Sequence, residues 1–159
     1  MTEHNHFRRR KFRKEGTPCQ LTLHLAIVNE VRNHERIQRR SLRAGTTAIG
    51  TYGGALKGTA PELGATAIAE SLRRSDLTPA YVQSVVLGQV VQAGAKMNPA
   101  RQAAIHADLP ASVPAMTVNR VCGSGAQAVV SAAREVMLGL VDCALAGTWK
   151  TWISRPIWT

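Results

Sequence analysis

The chain has 159 residues, of which 45% are apolar and only 4% aromatic, so it can form one ordinary domain with an aliphatic core. We find no apolar run long enough to span a bilayer and no hydrophobic region of the secretory type near residue 1. Three cysteines do not make a disulfide framework, which favours a reduced, cytoplasmic setting. The net charge is +10, and residues 1–46 hold eleven Lys and Arg against four acidic residues.

The basic segment 1–46 allows three interpretations. Its arginine-rich runs, 8–14 and 36–43, could attract nucleic-acid phosphates. They could also belong to a mitochondrial transit peptide, although the four glutamates count against it. We expect instead a disordered or out-of-frame segment without a function of its own.

From residue 47 the pattern becomes regular. The glycine-rich stretch 51–58 lacks the Gly-Lys-Ser/Thr ending of a phosphate-binding loop, so we assign it no nucleotide role. Proline at a first turn predicts a helix over 61–74, and Asn98 with Pro99 predicts an N-cap and first residue of a second helix. The remaining predicted elements are strands over 82–91, 115–121 and 141–146 and helices over 100–109 and 123–140.

The predicted helix 123–140 is apolar over most of its surface, so we expect it to be buried. Strands alternate with helices at a spacing typical of βαβ units. The fold class is therefore α/β with a mixed, largely parallel sheet and a buried central helix.

Cys122 is the candidate catalytic residue. It lies between a predicted strand and a predicted helix, followed by Gly123 and Gly125. A thiol at a helix N-terminus is exposed to unpaired N–H groups and to the helix dipole, which favour the thiolate, and acyl transfer suits such a nucleophile. Cys143 fits a small buried hydrophobe, Cys19 has no informative context, and His106 is interpreted as a helix-surface or packing residue.

Residues 47 to about 147 resemble the N-terminal half of a thiolase of the acetyl-CoA acetyltransferase type. Four ordered motifs carry this resemblance: Thr-Ala-Ile-Gly-Thr-Tyr-Gly-Gly from residue 47, Gly-Gln-Val-Val-Gln-Ala-Gly from residue 88, Asn-Pro-Ala-Arg-Gln from residue 98, and Asn-Arg-Val-Cys-Gly-Ser-Gly from residue 119. The resemblance implies that Cys122 takes the acyl group of an acyl-CoA as a thioester. It also implies coenzyme A thioesters as substrates, no tightly bound cofactor, no metal, and a homodimer or tetramer for the intact family.

The chain also departs from the family pattern. Thiolases are more than twice as long, and their second half supplies a catalytic histidine and a second cysteine that acts as acid and base. The family's first strand, expected before residue 47, is not evident in the sequence. We therefore expect a shortened acyltransferase domain, 47–147, with little activity alone; chain length of the acyl group and direction of the reaction are left open.

The last residues, 148–159, differ from the family and hold all three tryptophans. Permitted codons for this tail, read two bases later, give Met-Glu-Asn-Met, as the family has. We therefore interpret 148–159 as a non-family tail read out of frame. The alternatives for the whole chain are a non-catalytic basic α/β domain that binds nucleic acid or an anionic surface, and a ketoacyl synthase, which the motifs at 88 and 98 disfavour.

Overall fold

The computed structural model describes residues 24–33, 36–45 and 60–149, which form one sheet with helices on both of its faces. The elements are β1 (His24–Asn33), β2 (Arg36–Gly45), α1 (Ala60–Ser75), β3 (Ser84–Gly88), α2 (Pro99–His106), β4 (Ala115–Val118), α3 (Ser124–Met137) and β5 (Cys143–Thr148). A short 3₁₀ turn, Pro79–Tyr81, precedes β3. The glycine-rich stretch 51–58 lies outside the described residues. None of the described helices is both long and apolar enough to cross a membrane.

The sheet has the strand order β2-β1-β5-β3-β4. Strand β3 runs parallel to both β4 and β5, whereas β1 is antiparallel to β5 and to β2. The predicted mixed, largely parallel α/β fold is confirmed. In the parallel part, Gly88 is paired with Val118 on one side and with Thr148 on the other, so three strands end at one edge.

Strands β1 and β2 differ from the sequence prediction for residues 1–46. That segment was expected to lack regular structure, yet its described part, 24–33 and 36–45, forms an antiparallel pair against β5. The physical reason is tertiary, because strand formation depends on an available edge more than on intrinsic propensity. The backbone of β5 offers that edge, which arginine-rich composition alone does not reveal.

Alternation along the strands divides the core between the two faces of the sheet. Val85 and Leu87 pack into one cluster with α1 and α2, and Val86 packs into another with α3. Successive strand residues point to opposite faces, so β3 serves both clusters at once. These three side chains are fully buried, and each contributes roughly 1.5–3 kcal/mol by leaving water.

The start of α2 confirms the predicted cap. The Asn98 side chain accepts a hydrogen bond from the Arg101 amide at 3.3 Å, and Pro99 is the first helical residue. Asn98 itself has a left-handed backbone with φ 41°, a conformation that asparagine adopts more readily than most residues.

Helix α3 is buried on one side only. Its Ala128, Ala132 and Val136 are buried against β3 and β5, whereas the sequence predicts burial of the helix as a whole. Val130 and Met137, on the side away from the sheet, are 44% and 42% exposed. The predicted burial is therefore confirmed for the side that faces the sheet and is wrong for the other side, because within the described part of the chain the sheet is the layer that packs against this helix.

The first two residues of the predicted non-family tail take part in this fold. The Thr148 hydroxyl donates to the Gly88 carbonyl at 2.9 Å, and the Trp149 amide donates to the same carbonyl at 3.3 Å. Trp149 is 1% exposed, and its indole packs against Gly64 in α1. A Cβ on Gly64 would stand 3.1 Å from the Cζ3 atom of that indole. The rest of the tail, 150–159, lies outside the described residues, and its out-of-frame origin stays a prediction.

We predict that the protein loses stability at alkaline pH because the Cys143 thiol is buried. Burial, and secondarily the charge of Asp142, raise the pKa of its thiol to about 11 from an ordinary 9.0. Because the folded state holds this proton more tightly than the unfolded state, the contribution is complete below pH 9 and is lost as pH rises toward 11. We expect the free energy of unfolding to fall by about 2 kcal/mol more between pH 8 and 11 than in Cys143→Ala. Urea unfolding of both chains measures this difference, and parallel pH curves would contradict it.

Candidate active site

Cys122 lies in the turn that joins β4 to α3. Strand β4 ends at Val118 and the helix begins at Ser124, so the thiol stands at the carboxyl edge of the parallel strands. The thiol is exposed. Open α/β sheets bind ligands at this edge, so the position is suited to a reacting group.

The turn holds a strained backbone immediately before the cysteine. Val121 has φ 48°, in the left-handed region where a β-branched residue is a marked outlier. Such a conformation costs roughly 1–3 kcal/mol and persists only where neighbouring contacts fix it. Two backbone hydrogen bonds close the turn: Gly123 donates to Arg120 at 3.0 Å, and Ser124 donates to Val121 at 3.1 Å.

Side chains of the same motif brace the turn from two sides. The Ser124 hydroxyl donates to the Val121 carbonyl at 2.6 Å and accepts from the Arg120 amide at 2.8 Å. The Asn119 side chain accepts from the Val121 amide at 3.1 Å and donates to the Val90 carbonyl at 2.9 Å. The turn is therefore tied both to the start of α3 and to the loop after β3.

Two glycines let α3 approach the sheet at this point. A Cβ on Gly88 would stand 2.7 Å from the carbonyl carbon and oxygen of Ser124. A Cβ on Gly125 would stand 2.6 Å from the Cγ2 atom of Thr148. No real Cβ tolerates such distances, so both glycines are required for the helix to begin between the ends of β3 and β5.

The start of α3 supplies the electrostatics of the site. Gly123 is the N-cap and has no side chain to cap the helix, and the Gln127 amide makes the bond to the Gly123 carbonyl at 2.9 Å. The amides of the first helical turn have no hydrogen-bond partner within the helix. Together with the helix dipole they favour negative charge nearby. Cys122 directly precedes the N-cap, so this end of the helix follows it at once in the chain.

The other predicted residues do not join Cys122. Cys143 lies inside β5 and is fully buried, which confirms its interpretation as a small hydrophobe. His106 is exposed in the last turn of α2 and, within the described structure, makes no hydrogen bond to Cys122. Cys19 lies outside the described residues.

A family model described as the thiolase N-terminal domain matches residues 42–150. The chain belongs to the thiolase family. The thiolase-like region predicted over 47–147 lies wholly inside this match, and the match also takes in the end of β2.

Thiolase relatives with curated names agree with this membership. The chain is 50% identical to the acetyl-CoA acetyltransferase of Cupriavidus necator over 114 residues, which are 71% of this chain and 29% of the relative. It is 51% identical to the acetyl-CoA acetyltransferase of Chromobacterium violaceum over 111 residues, or 69% and 28% of the two chains. The thiolase chain described here thus spans less than a third of these relatives.

A solved structure supports the fold. The chain superposes on the crystal structure of the Bacillus anthracis acetyl-CoA acetyltransferase with a TM-score of 0.65 and 34% identity. The superposition covers 79% of this chain and 29% of that one. The thiolase-like α/β fold predicted from the motifs is therefore confirmed.

The sequence motif contains residues whose roles the spacing did not reveal. Asn119 and Ser124 belong to the motif that begins at residue 119, but their bonds to Val90 and across the turn appear only in the folded structure. Gly88 belongs to another motif, and its contact with Ser124 joins positions that are 36 residues apart in the chain. The sequence marks Asn119, Ser124 and Gly88 as members of motifs, but it does not show the contacts that explain why these residues are needed.

We predict that the two described cysteines differ strongly in reactivity. In a Cys19→Ser background at pH 8, iodoacetamide should alkylate the exposed Cys122 at least roughly tenfold faster than the buried Cys143, which must wait for local opening. Peptide mass analysis over time measures both rates. In urea the two rates should converge, and equal rates in the folded protein would contradict the described burial.

We predict that Gly125→Ala destabilises the protein although alanine favours helices. The normal gain of about 1 kcal/mol is outweighed by the contact with the Thr148 Cγ2 atom, and we expect a net loss of about 1–3 kcal/mol. Thr148→Ser removes that methyl group and keeps the hydroxyl that bonds Gly88. The double variant should therefore recover most of the loss in urea unfolding, whereas a Gly125→Ala chain as stable as the parent would show that the approach is looser than described.

Proposed function

We propose that this chain performs the acyl-accepting step of a thiolase, with Cys122 as the nucleophile. One observation carries the proposal: an exposed thiol stands where β4 passes into α3, one residue before the helix N-cap and at the carboxyl edge of the sheet. The names of the relatives indicate acetyl-CoA as the acyl donor. No tightly bound cofactor is needed for this step, because the coenzyme A thioester is itself the substrate.

The chemical step is a thioester exchange. The Cys122 thiolate attacks the carbonyl carbon of acetyl-CoA, and negative charge gathers on the carbonyl oxygen of the tetrahedral intermediate. Amides at the start of α3 would stabilise this charge. The carbon–sulfur bond to coenzyme A then breaks, the coenzyme A thiolate leaves and takes up a proton, and acetyl-Cys122 is left.

Completion of the reaction requires a second step and further groups. In synthesis the acetyl group would pass to a second acetyl-CoA, and in thiolysis an acyl group would pass to free coenzyme A. The acid and base for that step belong, by the family resemblance, to parts of thiolases that these 159 residues do not match. Cys143 cannot serve, because it is buried in the sheet. We therefore propose that the chain alone acquires one acetyl group without sustained condensation.

The setting that we propose follows the bacterial relatives. The names of the relatives support an acyl-CoA as the small-molecule partner. The rest of the proposal, a cytoplasmic enzyme of lipid metabolism that forms a dimer or tetramer, follows from the family resemblance. The alternative of a basic domain that binds nucleic acid has no support from the thiolase matches.

Acetyl transfer can be tested directly on the full chain. Incubation with acetyl-CoA in the Cys19→Ser background should add one acetyl group to the Cys122 peptide and release one equivalent of coenzyme A thiol. Mass analysis locates the group, and a thiol reagent measures the release. Cys122→Ala should show neither signal, whereas Cys143→Ala should keep both.

Two outcomes would reject the proposal. An unmodified Cys122 after long exposure to acetyl-CoA, in a chain whose Cys122 still reacts with iodoacetamide, would remove the acyl-accepting role. Acetylation of Cys122 that continues unchanged after unfolding in urea would show that the fold contributes nothing to the transfer.

A further inference from the structure

The Ser124 hydroxyl makes two hydrogen bonds, and both are directed to the turn that carries Cys122. It donates to the Val121 carbonyl at 2.6 Å and accepts from the Arg120 amide at 2.8 Å. Ser124 is 1% exposed, so neither bond competes with bulk water. The hydroxyl therefore closes a ring around the two residues that precede the nucleophile.

This pattern differs from ordinary helix capping. A capping serine stands at the N-cap and accepts from amides further along the helix. Here the N-cap is Gly123, and Ser124, the first helical residue, reaches back to the preceding turn. The Ser124 amide donates to the Val121 carbonyl at 3.1 Å, and neither bond of the Ser124 hydroxyl involves the Gly125 or Ala126 amide.

The position of Ser124 is fixed by the sheet. A Cβ on Gly88 would lie 2.7 Å from the Ser124 carbonyl and 2.8 Å from its Cβ, so the last residue of β3 abuts the serine without a gap. Gly88 is held in turn by the Thr148 hydroxyl at 2.9 Å. The serine thus connects the strained turn to the end of β3 at Gly88.

We propose that Ser124 is a positioning residue for Cys122. The Ser124 hydroxyl keeps Val121 in its left-handed conformation and thereby keeps the Cys122 sulfur at the start of α3. The nucleophilic role of Cys122 rests on the proposed function, but the positioning role can be measured on the thiol alone. Loss of the hydroxyl would leave the Arg120 amide without this partner and let Val121 relax toward commoner backbone angles. The sulfur would then move away from the helix amides.

The test compares Ser124→Ala with Ser131→Ala in the full Cys19→Ser chain. Ser131 lies two turns further along α3, where its hydroxyl accepts from the Gln127 side chain at 3.1 Å. We expect Ser124→Ala to slow iodoacetamide alkylation of Cys122 at pH 7 roughly tenfold, since small displacements of a reacting group cost about 10–100-fold. Ser131→Ala should leave the alkylation rate unchanged.

A second variant separates positioning from general destabilisation. Glycine adopts positive φ without cost, so Val121→Gly combined with Ser124→Ala should regain most of the lost rate. Recovery supports the proposal, and a double variant as slow as Ser124→Ala overturns it. A Ser124→Ala chain that alkylates like Ser131→Ala overturns it as well.

Two further outcomes have a fixed meaning. If Ser124→Ala does not fold by itself, the double variant with Val121→Gly is compared with the parent chain: alkylation of Cys122 at nearly the parent rate supports the proposal, and a folded double variant that is tenfold slower overturns it. If the parent chain takes no acetyl group but Ser124→Ala still slows alkylation, the proposed function fails and the positioning role stands.

Discussion

The close approach of helix α3 to the ends of β3 and β5 is the constraint on which the rest of the site depends. It is possible only because Gly88 and Gly125 have no side chains, since a Cβ on either would meet its neighbour at 2.6–2.7 Å. With the helix start fixed between these two strands, the turn from β4 has only four residues, 119–122, before the N-cap. The short connection is completed by a left-handed residue, Val121, and Cys122 follows it at the tip.

The strain in this turn is offset by bonds that come from different parts of the chain. Asn119 ties the turn to the loop after β3, and Ser124 ties it to the helix. An unusual backbone conformation held by several specific contacts is common at functional sites, because the contacts fix a reacting group before a ligand arrives. The membership of the thiolase family and the exposed thiol agree with the proposed role of Cys122 as a nucleophile.

The two described cysteines show how environment decides what one side chain does. Cys143 lies in the buried strand β5, where burial raises the pKa of its thiol to about 11 and keeps the thiol inert. Cys122 stands at a strand-to-helix junction, open to solvent. Helix α3 shows a similar contrast between its sides, since Val136 packs on the sheet while Val130 and Met137 are exposed on the side that the described residues leave uncovered.

The sequence by itself determined the family, the α/β alternation and the position of Cys122 before a helix, because glycine spacing, the Asn98–Pro99 start and the four motifs are local signals. It also placed Cys143 in an apolar strand. Only the tertiary structure decided that residues 24–33 and 36–45 pair as strands, since that pairing needs the free edge of β5. The same holds for Ser124 and Gly88, whose contact joins residues 36 apart: a helix start and a strand end meet only after the sheet has assembled.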